Sequence, residues 1–179
     1  TGTEAVSTED DDVDPVEVGL ADFGRPQGYA ARQVDRWSRQ LAASRCRDLP
    51  GVVELRDALA AAVPAPQRAA VVHGDFRLDN VLVRPGAWDV AAVLDWEMAT
   101  LGDPLADLGL LLVYWGRGSD ADTALAAVAD TPSSVEGYPS SRELAAHYGA
   151  ATGLDLAPLP WYVAFGYFKL AVILEGIHY

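Results

Sequence analysis

From Gln27 to about Asp48, Val34, Trp37 and Leu41 recur at helical spacing while Arg32, Arg36 and Arg39 fall on the opposite face. That period predicts an amphipathic helix. A second helix is predicted from about Pro50, a good first-turn residue, through Leu55 and Leu59 to near Val63, where Pro64 and Pro66 stop it. The texture then changes. Ala69–His73, Val81–Arg84 and Val90–Trp96 are short Val-rich runs, the last two separated by Pro85-Gly86, and they predict strands, the last pair a hairpin. Helical spacing returns after Gly102. Asp103-Pro104 reads as an N-cap and first-turn proline for a helix to about Trp115, followed by a loop over Gly116–Asp122. Ser140 and Glu143 form a capping-box signature for a helix ending at Gly153, and Pro158 or Pro160 opens the last helix.

Composition narrows what such a chain can be. Half of the 179 residues are hydrophobic and 22% are charged, enough apolar material for one packed core and too much for a disordered chain. The net charge of -13 argues against nucleic acid or an anionic membrane as the main partner. Seven of the acids lie in residues 1–17, which hold no base, so residues 1–15 read as an acidic, disordered tail or linker and 16–179 as the folded domain. The single cysteine, Cys46, excludes an intrachain disulfide and a cysteine-based zinc site. The N-terminus offers neither a basic nor an apolar stretch, so no leader is expected. The most apolar segment, Trp161–Leu174, is 14 residues long and contains Lys169. It is too short to span a bilayer and reads as a buried helix. A soluble, cytoplasmic protein is expected.

The chemistry concentrates in His73-Gly74-Asp75-Phe76-Arg77-Leu78-Asp79-Asn80 and in Asp95-Trp96-Glu97 at the end of the hairpin. Asn80 and Asp95 supply an amide and a carboxylate oxygen, a donor pair suited to Mg²⁺, which keeps waters and binds substrate phosphates. Asp75 is then free to accept a hydroxyl proton. A catalytic Asp, an Asn five positions on and a metal-binding Asp on a following strand form the layout of phosphoryl transfer by kinases.

HGDFRLDN from His73, VLDWE from Val93 and LGDPLADLG from Leu101 together resemble the family of aminoglycoside phosphotransferases and choline kinases. The wider match, including GRPQGYAARQVDRW and WYVAFGYFKLAVILEGIHY, resembles the phosphotransferase-like domains related to those fused to acyl-CoA dehydrogenases, from about Asp14 to the end. The resemblance implies an α+β, mainly helical fold: a protein-kinase-like C-terminal lobe with a small β hairpin carrying the catalytic loop. It implies Asp75 as the catalytic residue, Asn80 and Asp95 as Mg²⁺ ligands beside ATP, His73 as support of the loop, and Arg77 facing the γ-phosphate. It also implies a small-molecule hydroxyl acceptor, a hydroxyacyl-CoA or an aminoglycoside-like alcohol, and an acyl-CoA dehydrogenase as partner or fused domain.

Blander roles compete. A histidine at a strand end is more often hydrogen-bonded support than a proton shuttle. Asp79 reads as a turn residue, and Asp103 as a helix cap. Asp107 favours the dipole of its helix and stands where it can brace the loop. Glu97 touches either a second Mg²⁺ or nothing. The Arg32, Arg36 and Arg39 stripe reads as a solvated face, although residues 25–56 hold seven arginines and three acids, an island that would also suit a phosphate-bearing thioester. There is no G-x-G-x-x-G and no P-loop, and the only lysine is Lys169. A kinase needs a strand lysine under a glycine-rich flap, so the nucleotide lobe is expected to be absent and the chain to be truncated at both ends. Its functions are then a Mg²⁺/ATP-dependent kinase, inactive as this isolated lobe, or a non-catalytic pseudokinase-like binding module. A metal-dependent phosphatase on His73 and Asp75 lacks bridging ligands.

Overall fold

Helix α1 (Tyr29–Ser44) buries Val34, Trp37 and Leu41, the stripe that its period predicts. Of the opposite face, Arg32 is not simply solvated: its guanidinium donates to the Gln27 and Arg25 carbonyls and ties down the turn before the helix. Arg39 pairs with Asp35 at 3.5 Å in the open. The computed structural model describes residues 14–87, 89–116 and 136–178; the acidic run before Asp14 and the loop expected after Gly116 lie outside them. Helix α2 (Val52–Ala61) starts after Pro50-Gly51 rather than at the proline, because Gly51 accepts its first backbone hydrogen bond, from the Leu55 N–H at 2.9 Å.

Among the described residues four strands are seen where three are predicted. Strand β1 (Ala70–Val72) pairs antiparallel with β4 (Thr100–Gly102), Val71 opposite Leu101. Strands β2 (Val81–Val83) and β3 (Val90–Val93) form the predicted hairpin, with a register irregularity after Leu82. The predicted third strand stops at Val93, and Trp96–Met98 is a single 3₁₀ turn. The loop bearing Asp75 therefore runs from one ladder to the other and is not a feature of the hairpin alone.

Helix α3 (Leu105–Trp115) has Pro104 at its N-cap, one residue later than the sequence predicts, and Asp103 Oδ1 just ahead of it accepts the Leu105 N–H at 3.0 Å. Helix α4 (Ser141–Thr152) carries both arms of the capping box: Glu143 N–H to Ser140 Oγ at 3.3 Å, Ser140 N–H to Glu143 Oε2 at 2.8 Å. Helix α5 (Leu159–His178) is the centre of the molecule. On one side it meets α1 and α2 through Trp37, Leu41, Leu59, Phe165, Phe168 and Val172. On the other, Tyr162, Val163 and Leu170 pack with Val72 of β1, Leu105 and Val113 of α3 and Ala145 of α4. Each such side chain contributes about 1.5–3 kcal/mol when fully buried. Gly109 lets α3 and α5 touch: a Cβ there would lie 2.6 Å from the Tyr162 backbone. None of the described helices is long and apolar enough to cross a membrane.

Candidate active site

Val72, fully buried at the end of β1, leads into His73-Gly74-Asp75, with His73 still buried and Gly74 and Asp75 partly exposed. Gly74 has φ 84°, and a Cβ would sit 2.7 Å from the Met98 carbonyl oxygen, so both conformation and space require glycine. Asp107, in the first turn of α3, accepts the His73 N–H at 2.6 Å and the Gly74 N–H at 2.9 Å. Burial pushes its carboxyl up, while those two amides pull it down. From the other side the Lys169 ammonium donates to the Gly74 carbonyl.

His73 is buried, and its ring joins the two halves of the site. Nδ1 accepts the Asp75 N–H at 3.2 Å. Nε2 therefore carries the proton and donates to the Leu94 carbonyl at 2.7 Å. Phe76 and Trp96 pack on the ring, with centroids at 5.9 and 4.7 Å. With Nδ1 accepting a backbone proton and Nε2 donating one, the ring is occupied at both nitrogens.

Asn80 ends a 3₁₀ turn over Leu78–Asn80. Its Nδ2 donates to the Asp75 carbonyl at 2.9 Å, and its own carbonyl accepts the Leu94 N–H at 2.8 Å. The amide Oδ1 accepts from no described residue. Asp95 follows directly, exposed, at φ 66° and ψ 52°. It is the only non-glycine with positive φ among the described residues. Asp and Asn tolerate that conformation better than other L-residues, and strain of this kind gathers at functional sites.

Asp75, Asn80 and Asp95 are thus brought together by a short relay of hydrogen bonds. Arg77 is engaged nearby: it pairs with Asp79 and lies 4.8 Å over the Tyr114 ring. Burial pushes the Tyr114 hydroxyl up; Arg77 pulls it down and Asp75 adds to the rise. Asp103 is buried at the start of α3 and accepts the Leu105 N–H. Glu97 is exposed in the 3₁₀ turn after Asp95. The described residues hold no group of three or more His, Cys, Asp or Glu able to hold a metal ion.

Sequence reasoning misses Tyr114 and the role of Lys169. The signal for Lys169 was present: a lone ammonium inside an apolar helix must find a partner. Beside it a narrow crevice of about 20 Å³ is lined by Gln33, Arg36, Trp37, Gly74, Asp107 and Lys169 among others.

Residues 11–144 match the family model of the phosphotransferase enzyme family. Acyl-CoA dehydrogenase family member 10 of Mus musculus is 35% identical over 170 residues, which are 93% of this chain and 16% of that protein. Acyl-CoA dehydrogenase family member 11 of Gallus gallus is 36% identical over 173 residues, 90% of this chain and 21% of that protein. Among solved structures, a protein from Ralstonia eutropha assigned as an aminoglycoside phosphotransferase superposes with a TM-score of 0.78 at 34% identity. That match covers 92% of this chain and 50% of the other. The chain therefore spans half of that structure and about a fifth of these curated relatives.

Proposed function

The chain belongs to the phosphotransferase enzyme family, and we propose that it carries the acceptor-activating and metal-holding part of a kinase that moves the γ-phosphate of ATP to a small-molecule hydroxyl. In this proposal residues 16–179 are the C-terminal lobe, and the glycine-rich, lysine-bearing cover of the nucleotide lies outside these 179 residues. The observation that supports the reading is the relay in which the Asn80 side-chain amide holds the Asp75 backbone carbonyl while the Asn80 backbone carbonyl holds the Leu94 N–H, one residue before Asp95.

The donor set fits Mg²⁺. Asn80 is held by its Nδ2, so Oδ1 is left as the open oxygen, and Asp95 presents an exposed carboxylate on a fixed turn. Two hard oxygens with no third carboxylate match an ion whose remaining ligands are phosphate oxygens and water. When bound, Mg²⁺ would neutralise charge on the phosphates. The chain's own residues do the rest. Asp75 accepts the hydroxyl proton of the acceptor and orients its oxygen. Its position is set by backbone hydrogen bonds on both sides of Gly74. Arg77, steadied by Asp79 and Tyr114, faces the charge of the transferring group. The dehydrogenase relatives favour a hydroxyacyl thioester over an aminoglycoside as acceptor, and a fused or partner acyl-CoA dehydrogenase.

The test uses the full-length protein that contains this chain. Asp75→Ala and Asp95→Ala should each lower turnover, the former by about a hundredfold to ten-thousandfold, the usual range for a lost general base. Only Asp95→Ala should weaken Mg²⁺-dependent nucleotide binding in calorimetric titration. Wild-type affinity in Asp95→Ala would remove Asp95 from the metal site.

A further inference from the structure

Lys169 is the only lysine in the chain and is 4% exposed, in the middle of α5. An ammonium in such surroundings is costly unless it is paired and hydrogen-bonded, and a Leu or Met would fill the same volume without that cost. Its surroundings are specific. The Trp37 ring lies 5.2 Å from Nζ, a cation–π distance. Burial pushes the Lys169 ammonium below the ordinary lysine range, against the pull of Asp75 from the loop and Asp107 from α3, and Arg36 from α1 adds to the lowering. The ammonium itself donates to the Gly74 carbonyl.

That carbonyl belongs to the last peptide before the Asp75 Cα. The other polar end of the same peptide, the Asp75 N–H, is held by His73 Nδ1. The preceding peptide is held by Asp107 through the Gly74 N–H. Glycine at φ 84° is the residue best able to let this peptide rotate, and rotation would swing Asp75 away from Asn80. Lys169 opposes it from a firm seat: Phe168 beside it is fully buried, and α5 is locked on α3 at Gly109.

We propose that Lys169 is a positioning residue whose ammonium, by holding the Gly74 carbonyl, sets the plane of the Gly74–Asp75 peptide and so aims the Asp75 carboxylate. The proposal rests on the reading of Asp75 as the acceptor of the hydroxyl proton.

Because the chain has one lysine, lysine-selective ¹⁵N labelling of the 179-residue protein gives a single Nζ signal. The expected signal is observable at neutral pH through slow exchange with water and is coupled across the hydrogen bond to the Gly74 carbonyl carbon. An Nζ that exchanges as fast as free lysine would overturn the proposal. In Lys169→Met, hydrogen exchange of the Asp75 amide should accelerate at least tenfold while amides in the middle of α5 keep wild-type rates. Unchanged Asp75 exchange would mean that Lys169 only fills space. Should this variant not fold, the wild-type Nζ signal decides alone. In the full-length protein Lys169→Met should lower kcat and leave the nucleotide KM within twofold; a raised KM with unchanged kcat would overturn the assignment. A wild-type protein inactive on every hydroxyl acceptor would defeat the role of Asp75 and leave the clamp itself to be decided by the spectra.

Discussion

The loop from His73 to Asn80 and the turn around Asp95 are neighbours, joined by the 2.7 Å hydrogen bond from His73 Nε2 to Leu94, yet they are built in opposite ways. The loop is gripped from beneath. Asp107 takes two of its amides, Lys169 takes a carbonyl, and Val72 and His73 are buried. The turn is open. Asp95 is exposed in a left-handed conformation, flanked by exposed Leu94 and Trp96, and the adjoining hairpin leaves Leu82, Val83 and Val90 uncovered. The proposed function gives this difference a reason. A group that takes a proton from a hydroxyl has to be in place before the acceptor arrives. A magnesium ligand is completed by phosphate oxygens and water, so its side can wait for what covers it.

The largest effect should come from the gripped side. Asp107→Ala leaves the His73 and Gly74 amides without their acceptor, at about 1–3 kcal/mol for each unsatisfied donor. Urea unfolding should show a loss of about 3 kcal/mol; a loss below about 1 kcal/mol would mean that water replaces the carboxylate easily and that the grip is weak.

On the open side the expected sign is reversed. Asp95→Gly relieves the left-handed conformation, and the chain should be unchanged or more stable by up to about 1 kcal/mol, while Mg²⁺-nucleotide binding falls. Clear destabilisation on thermal melting would show that Asp95 holds the turn together and blur the contrast.

A smaller, pH-dependent effect lies away from both. Glu175, buried in α5, accepts from the Cys46 N–H at 3.0 Å and from Arg47 Nε at 2.8 Å, and these partners hold its carboxyl down at about 2 against an ordinary 4.5. A depressed carboxyl stabilises the fold fully above the unfolded value and loses that contribution as pH falls through the window toward the folded one. Between pH 4.5 and 2, wild type should therefore lose a stability increment that Glu175→Gln never has. Parallel denaturation curves across that window would exclude it.

Much of the frame is legible in the residues. The stripes of α1, the Ser140 and Glu143 capping box and the Pro85-Gly86 hairpin are local patterns, and local patterns survive folding. The pairing of β1 with β4 is not legible, because each strand has three residues and the ladder joins positions about thirty apart. The loop residues stand out by type and spacing, and Asp107 by its place in a first helical turn. Which amides it takes, and that Lys169 reaches Gly74 from a helix 95 residues away in sequence, depend on packing. A basic stripe likewise reads as solvated until Arg32 is seen capping two carbonyls.

The central claim is that Asn80 and Asp95, joined to Asp75, hold a magnesium-bound nucleotide. Paramagnetic broadening of amide signals by Mn²⁺ with excess ATP, on the 179-residue chain at millimolar nucleotide, tests it most directly. Signals of Asn80, Asp95 and Trp96 should broaden first, Asp75 next, and the effect should vanish in Asp95→Gly. Broadening confined to the acidic run of residues 1–17, or unchanged by Asp95→Gly, would contradict the claim.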